Sequence, residues 1–251
     1  MLINRARRFK GAIYCMSILK LPVLAALALA TSGCMSTTVV QVMTMHHGTA
    51  DDDGDYPSYG NKDRRTFETD VGWTIHLTSG YITTAGITLH DCDGNVASLE
   101  MFRGHVAEDL VNQADLDASG VGSLNVPPID LCELTVHYGK FDPEESSFSP
   151  RSSAVEGTSV YLKGTAVKDE ERVDFEVRLR KAIDVEVDMS EVMDGAPLRV
   201  SGQEAFPIQI VVSKTYDRFF DGIDFRTASD DDFEKKVASV LAKETFLQVE
   251  T

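Results

Sequence analysis

From residue 67 onward, apolar and polar positions alternate in short runs. Trp73, Ile75 and Leu77 alternate with Thr74, His76 and Thr78, the period-two signature of a strand with one buried and one wet face. Ser79-Gly80 reads as a turn and residues 82–89 as the return strand. Asp93-Gly94, between Cys92 and Asn95, reads as a second turn before a strand over 96–102. Cys132, Leu134, Val136 and Tyr138 alternate with Glu133, Thr135 and His137. The clearest alternation sets Val173, Phe175, Val177 and Leu179 against Asp174, Glu176, Arg178 and Arg180, and continues through Ile183, Val185 and Val187. Its partner is residues 159–167 across a charged turn at 168–172, and residues 208–213 add a further strand. Six or more strands with short turns and wet outer faces predict a mainly β fold, an antiparallel β-sandwich.

One helix is well signalled. Ser229 is placed to cap it, Asp230 to Asp232 complement the helix dipole in the first turn, and Phe233, Val237, Val240 and Leu241 recur on one face. This C-terminal α-helix is expected to close one end of the sheet. Residues 106–114 read as a second, shorter helix. Residues 34–65, rich in Ser, Thr, Gly and Asp, read as an acidic tether ahead of a sandwich domain over 66–251. Within the tether, residues 38–45 are β-branched enough to form an edge strand instead.

The first 33 residues carry Arg5, Arg7, Arg8, Lys10 and Lys20, no acidic residue, and an apolar stretch over 21–30. That is an export signal: too short to span a bilayer and flanked by positive charge. Ala28-Leu29-Ala30 offers an ordinary cleavage site, whereas Ser32-Gly33-Cys34 resembles the lipobox of bacterial lipoproteins, the preferred reading. Thr31 stands where that pattern usually has Leu. The resemblance implies acylation of the Cys34 thiol and a lipid anchor. Met35, rather than Asp, after the cysteine points by the same resemblance to the outer membrane.

Cysteine usage fits that address. With Cys15 removed and Cys34 lipidated, Cys92 and Cys132 remain as an even pair for a disulfide in an oxidising compartment; two buried thiols are the alternative. Charge changes once the signal is gone. The whole chain is at −16, and residues 34–251 reach −21. Such a surface repels phosphates, so nucleic acid is a poor partner, and membrane contact is expected through the lipid.

Chemistry-bearing motifs are sparse. There is no G-x-S-x-G elbow, Walker loop, G-x-G-x-x-G or H-E-x-x-H, so no catalytic residue is assigned and an enzyme is disfavoured. Two acidic loops, at Asp51, Asp53 and Asp55 and at Asp91, Asp93 and Asn95, lack the downstream Glu of an EF-hand and read as a linker and a turn. Imidazoles suit copper or zinc. His76 and His137 alternate opposite the apolar rows and His90 ends a strand, so His76, His90, His105 and His137 form a candidate metal set. Met43, Met45, His46 and His47 place thioethers beside imidazoles. Residues 73–89, 131–138 and the Phe220-Asp221-Gly222-Ile223-Asp224-Phe225 segment loosely resemble copper-associated periplasmic β proteins of methanobactin systems, with no residue-level motif from which to carry over a ligand. The leading expectation is a lipid-anchored envelope protein that presents its sandwich to a protein or small ligand, with no cofactor. The alternative is a copper or zinc binding lipoprotein, and the third reading is a hydrolase with an unrecognised site.

Overall fold

A computed structural model of the chain describes residues 36–60 and 63–250. The export signal and Cys34 lie outside the described residues. The strands are, in chain order, β1 (Thr38–His47), β2 (Arg65–Glu68), β3 (Thr74–Asp91), β4 (Val96–Ser98), β5 (Glu100–Met101), β6 (Val106–Asp109) and β7 (Ser119–Val126). There follow β8 (Ile129–Tyr138), β9 (Val160–Lys168), β10 (Glu171–Leu179), β11 (Ile183–Asp188), β12 (Leu198–Val200), β13 (Ile208–Thr215), the helix α1 (Asp230–Lys243) and β14 (Thr245–Glu250).

They form two sheets. One has the order β14-β13-β1-β7-β5; the other runs β10-β9-β3-β8-β11, with β2, β4 and β6 also paired to β3 and β12 to β8. The inner faces supply one continuous core. Val40, Val42, Val121, Ile210 and Val212 come from the first sheet; Ile75, Leu77, Leu89, Leu134, Val136 and Leu162 come from the second. Two stacked sheets of this kind bury alternate residues of every strand and leave the others wet, as the sequence pattern requires. Pairing is antiparallel except that β1 runs parallel to β13, Val40 opposite Ile208 through His47 opposite Thr215. Parallel neighbours need a long crossover, and here nearly the whole domain lies between them.

Four sequence expectations are revised. Thr38–His47 is a central strand with Val40 and Val42 fully buried, so the domain starts well inside the segment read as tether. Ser79-Gly80 is not a turn: β3 continues for 18 residues, and the pairing with β9 shifts register between Leu77 and Ser79. Gly80 is there because Leu110 packs so close that an added Cβ would lie 3.2 Å from it; small size, not turning, is the requirement. Residues 106–109 are strand β6, paired to Tyr81–Thr84 of β3, with Asp109 accepting from the N–H groups of Val111 and Asn112 in the turn beyond. Finally, β11 does not continue β10 but pairs with β8 on the far edge of the sheet.

The helix is as expected. Ser229 and Asp232 form a reciprocal capping box, and Phe233, Val237, Val240 and Leu241 are buried. Phe233 packs edge-on to Phe220 and Phe225, which with Phe67, Phe175 and Trp73 make an aromatic layer beneath α1. The predicted disulfide is present: Cys92 and Cys132 are joined across 40 residues.

Candidate functional site

β1 runs between two ends of the sandwich that differ in chemistry. At its far end lies a buried charge cluster, and at its start lies an apolar cleft.

In the cluster, strand alternation turns Thr44 and His46 of β1, Glu108 of β6 and Lys214 of β13 toward one another. The Glu108 carboxylate accepts from Lys214 Nζ at 2.7 Å, from His46 Nδ1 at 2.7 Å and from Thr44 Oγ1 at 2.8 Å. Lys214 also donates to Thr44 Oγ1. Burial alone would raise the Glu108 carboxyl, but Lys214 and His46 outweigh it and hold it at about 2. His46 Nε2 has no hydrogen-bond partner and lies 3.5 Å from Asp115, which in turn meets Arg65 at 3.4 Å and Tyr216 at 3.3 Å. Burial pushes Asp115 upward.

Beside it, His47 Nδ1 donates to the Gly48 carbonyl at 2.7 Å, which leaves Nε2 to accept from Ser213 Oγ at 2.5 Å. Burial lowers the His47 pKa. Histidine and serine at this spacing are the beginning of a nucleophilic pair. Yet His47 and Ser213 are only 3 % and 1 % exposed, and Tyr56 stacks edge-on over the imidazole at 4.6 Å. Asp217 fastens the covering loop by accepting from Thr49 and from Tyr59 Oη at 2.6 Å. His47 and Ser213 are thus buried beneath this loop, and the polar contacts of the cluster tie β1 to β6 and β13.

The other end is open. A cleft of about 240 Å³ lies between the sheets, lined by Leu89 and Asp91 of β3, Val96 and Ala97 of β4, Leu124 and Val126 of β7, and Ile129 and Leu131 of β8. Its wall is the hairpin that Cys92–Cys132 ties to β8. The polar groups of that hairpin are occupied: Asp91 accepts from the backbone N–H of Asp93 and Asn95 and from the Asn95 side chain, bonds that also lower its pKa. What faces the cleft is thus mostly hydrocarbon. Val96, on its rim, is 59 % exposed, and covering such surface stabilises by about 25 cal/mol per Å².

The four candidate metal histidines are held apart by separate partners. His76 pairs with Thr66 at 3.1 Å, His90 with Thr135 at 2.9 Å, His105 with Glu145 at 3.2 Å, and His137 with Thr88 and Asp184 at 2.8 Å each. His90 and His137 lie on neighbouring strands, linked through the opposed Thr88 and Thr135, whereas His76 lies 14 residues from His90 along β3. They do not share a point, and among the described residues no group of three or more His, Cys, Asp or Glu side chains is placed to hold a metal ion. Met43 and Met45 belong to β1, and His46 and His47 are spent in the buried cluster.

Sequence reasoning missed the charge cluster and the β7 wall of the cleft. Lys214 within the apolar run of β13 was the one signal for the first, since a lysine there needs a buried counter-charge. Gly120 and Gly122 hid the second.

No protein-family model matches the chain, and no curated protein matches it. Fold and cleft define a disulfide-pinned β-sandwich with a small apolar opening between its sheets. Among solved structures, the chain is similar to MbnP from Methylosinus trichosporium at 9 % identity and a TM-score of 0.35, over 70 % of this chain and 76 % of that one.

Proposed function

We propose that this chain is a lipid-anchored envelope protein that binds a small apolar ligand in the cleft between its sheets, without turning it over. The cleft is the observation that carries this reading. Its volume of about 240 Å³ exceeds the ~150 Å³ that admits a benzene ring and falls short of the ~300 Å³ at which drug-sized pockets begin. Size and lining together favour a short alkyl or single-ring ligand. The export signal and the cysteine that follows it support the address, and the acidic surface disfavours nucleic acid.

The test uses the full chain, purified from a bacterial host, and toluene as the probe, followed by isothermal titration calorimetry. Wild type is expected to give a saturable heat of toluene binding. Ala97→Trp, which fills the cleft from its exposed rim, is expected to abolish that heat while leaving the melting temperature unchanged. Equal probe binding by wild type and Ala97→Trp would refute the cleft as the site. Intact mass of the same material tests the anchor: a chain beginning at Cys34 and carrying acyl mass supports it, and an unprocessed start overturns it.

A further inference from the structure

Several loops meet at the cleft end of the sandwich. Thr38 begins β1 opposite Val126, the last residue of β7. Val40 opposite Ile208 is the first pair of the β1–β13 ladder, so Thr38 and Val39 lie at the same end of the sheet as the loop that leads into β13. The loop between β12 and β13 is pinned to this spot. Thr38 donates to Glu204, and Glu204 accepts from the Ser201 N–H at 2.6 Å. Gly202, at φ 75°, sits so close to Ser36 and Pro128 that an added Cβ would lie 2.9 Å from each. The start of the described chain, the Pro127-Pro128 turn and the 201–207 loop are therefore one packed unit.

That unit carries apolar surface with nothing over it. Phe206 is 79 % exposed, the most exposed large apolar side chain among the described residues, and Val39, at the same end, is 37 % exposed. Soluble surfaces tolerate scattered apolar side chains. Here, however, they adjoin two prolines and a cleft that opens at the same end. The position of the tether makes this more than scatter. Ser36 touches the unit, and Cys34 is two residues earlier, within about 7 Å along even a fully extended chain. A lipid on Cys34 would therefore bring this end of the domain close to the bilayer.

We infer that the end of the sandwich formed by Ser36, Val39, Pro127-Pro128 and the 201–207 loop is a membrane-docking face, with Phe206 inserted at the lipid interface. This rests on the lipid anchor proposed above. Phe206 has the chemistry of an interfacial anchor: an aromatic body on a short loop, with no charged group on the side chain to be desolvated. The anchor supplies proximity, and the inserted ring supplies orientation, since attachment at one point leaves the domain free to turn. The cleft is then presented to the bilayer, and its apolar ligand enters from the lipid phase.

The test places a Trp at Phe206 and, separately, at Leu116. Leu116 donates its N–H to the His46 carbonyl at the opposite end of β1, eight residues or about 26 Å away, and is likewise exposed. Full-length lipidated protein is reconstituted into vesicles of phosphatidylethanolamine with a minority of phosphatidylglycerol, with and without brominated acyl chains. The single native Trp73 is buried, so its emission is a constant background and a check on folding. Phe206→Trp is expected to shift to the blue in vesicles and to be quenched by bromine; Leu116→Trp is expected to do neither. Unshifted emission from position 206, or equal quenching at 206 and 116, overturns the docking face while leaving the anchor standing. A mass without acyl groups overturns the anchored reading itself and this inference with it.

Discussion

The Glu108–Lys214 pair should behave as a buried ion pair whose halves depend on each other. Both side chains are almost inaccessible, at 1 % and 0 %, with 2.7 Å between Nζ and Oε2. Removing the carboxylate by Glu108→Leu leaves the ammonium with Thr44 Oγ1 and a Met45 carbonyl at 3.4 Å, neither of which carries charge. Stranding one charge in this way costs about 3–5 kcal/mol, and Lys214→Met should cost the same by stranding the carboxylate. Replacing both removes the charges together. What then remains is the lost partner of His46 Nδ1 and Thr44 Oγ1, a penalty of about 1–3 kcal/mol.

The double variant is therefore expected to be no worse than either single one, although independent effects would add to about 6–10 kcal/mol. Urea unfolding reads this directly. With a slope of about 2–3 kcal/mol per molar for a domain of this size, each single substitution lowers the midpoint by about 1.5 M. The pairing argument is refuted if either single variant costs less than about 1 kcal/mol, or if the double variant loses the sum of the two.

Three further outcomes follow from the same structure. Cys92→Ser with Cys132→Ser opens a 40-residue loop and should cost about 4 kcal/mol in the chain-entropy model, read as a lower melting temperature by circular dichroism; a loss under about 1 kcal/mol would mean that β3–β8 pairing alone closes the loop. Stability should fall on acidification in two windows. His47, with its pKa held below the usual 6.5 by burial, contributes stability that is present above that value and lost as the pH drops beneath it; Glu108, at about 2 against 4.5, contributes stability that is lost between those two values. Urea midpoints across pH check both, and His47→Gln should flatten the upper window only. Ser229→Ala removes the α1 cap and should cost about 1 kcal/mol, visible in the urea midpoint and largely absent from Ser229→Thr, which keeps the hydroxyl that accepts from the Asp232 N–H and donates to its carboxylate.

What the sequence reveals and conceals divides along physical lines. Strands with one wet face, such as β8 and β10, announce themselves, because Glu133, Thr135 and His137 or Asp174, Glu176 and Arg178 must alternate with the core. The helix was legible from its cap and apolar stripe, and the disulfide from compartment and parity. β1 was obscured because a strand paired on both sides buries so much of its length, His46 and His47 included, that its far end reads as a polar segment. β6 was mistaken for helix because Glu108 looks like a solvent-facing residue until Lys214 is brought to it by the fold. The histidines misled for the converse reason: alternation fixes which face a side chain takes, but not which neighbours share that face, and each found a threonine or a carboxylate nearby.

The two ends of β1 explain why the cleft can stay open. At the His46 end, three strands are locked by charge and the loop over them is fastened by Asp217, so that end cannot spread without stranding ions. At the Thr38 end the sheets are joined instead by short elements: β4 has three residues and β5 two. Gly122 lets the Glu100 carbonyl approach so closely that an added Cβ would lie 2.6 Å from it. A strand so pinned by its backbone contributes few side chains, and Leu124 and Val126 alone must face Leu89, Leu131 and Ile129 across the gap. The disulfide then does what packing does not: it holds the hairpin wall in place while the space behind it stays unfilled. Stability is thus concentrated at one end, and an under-packed, covalently braced opening lies at the other; under the proposed reading, filling the cleft with side chains would strengthen the core and leave no site for a ligand.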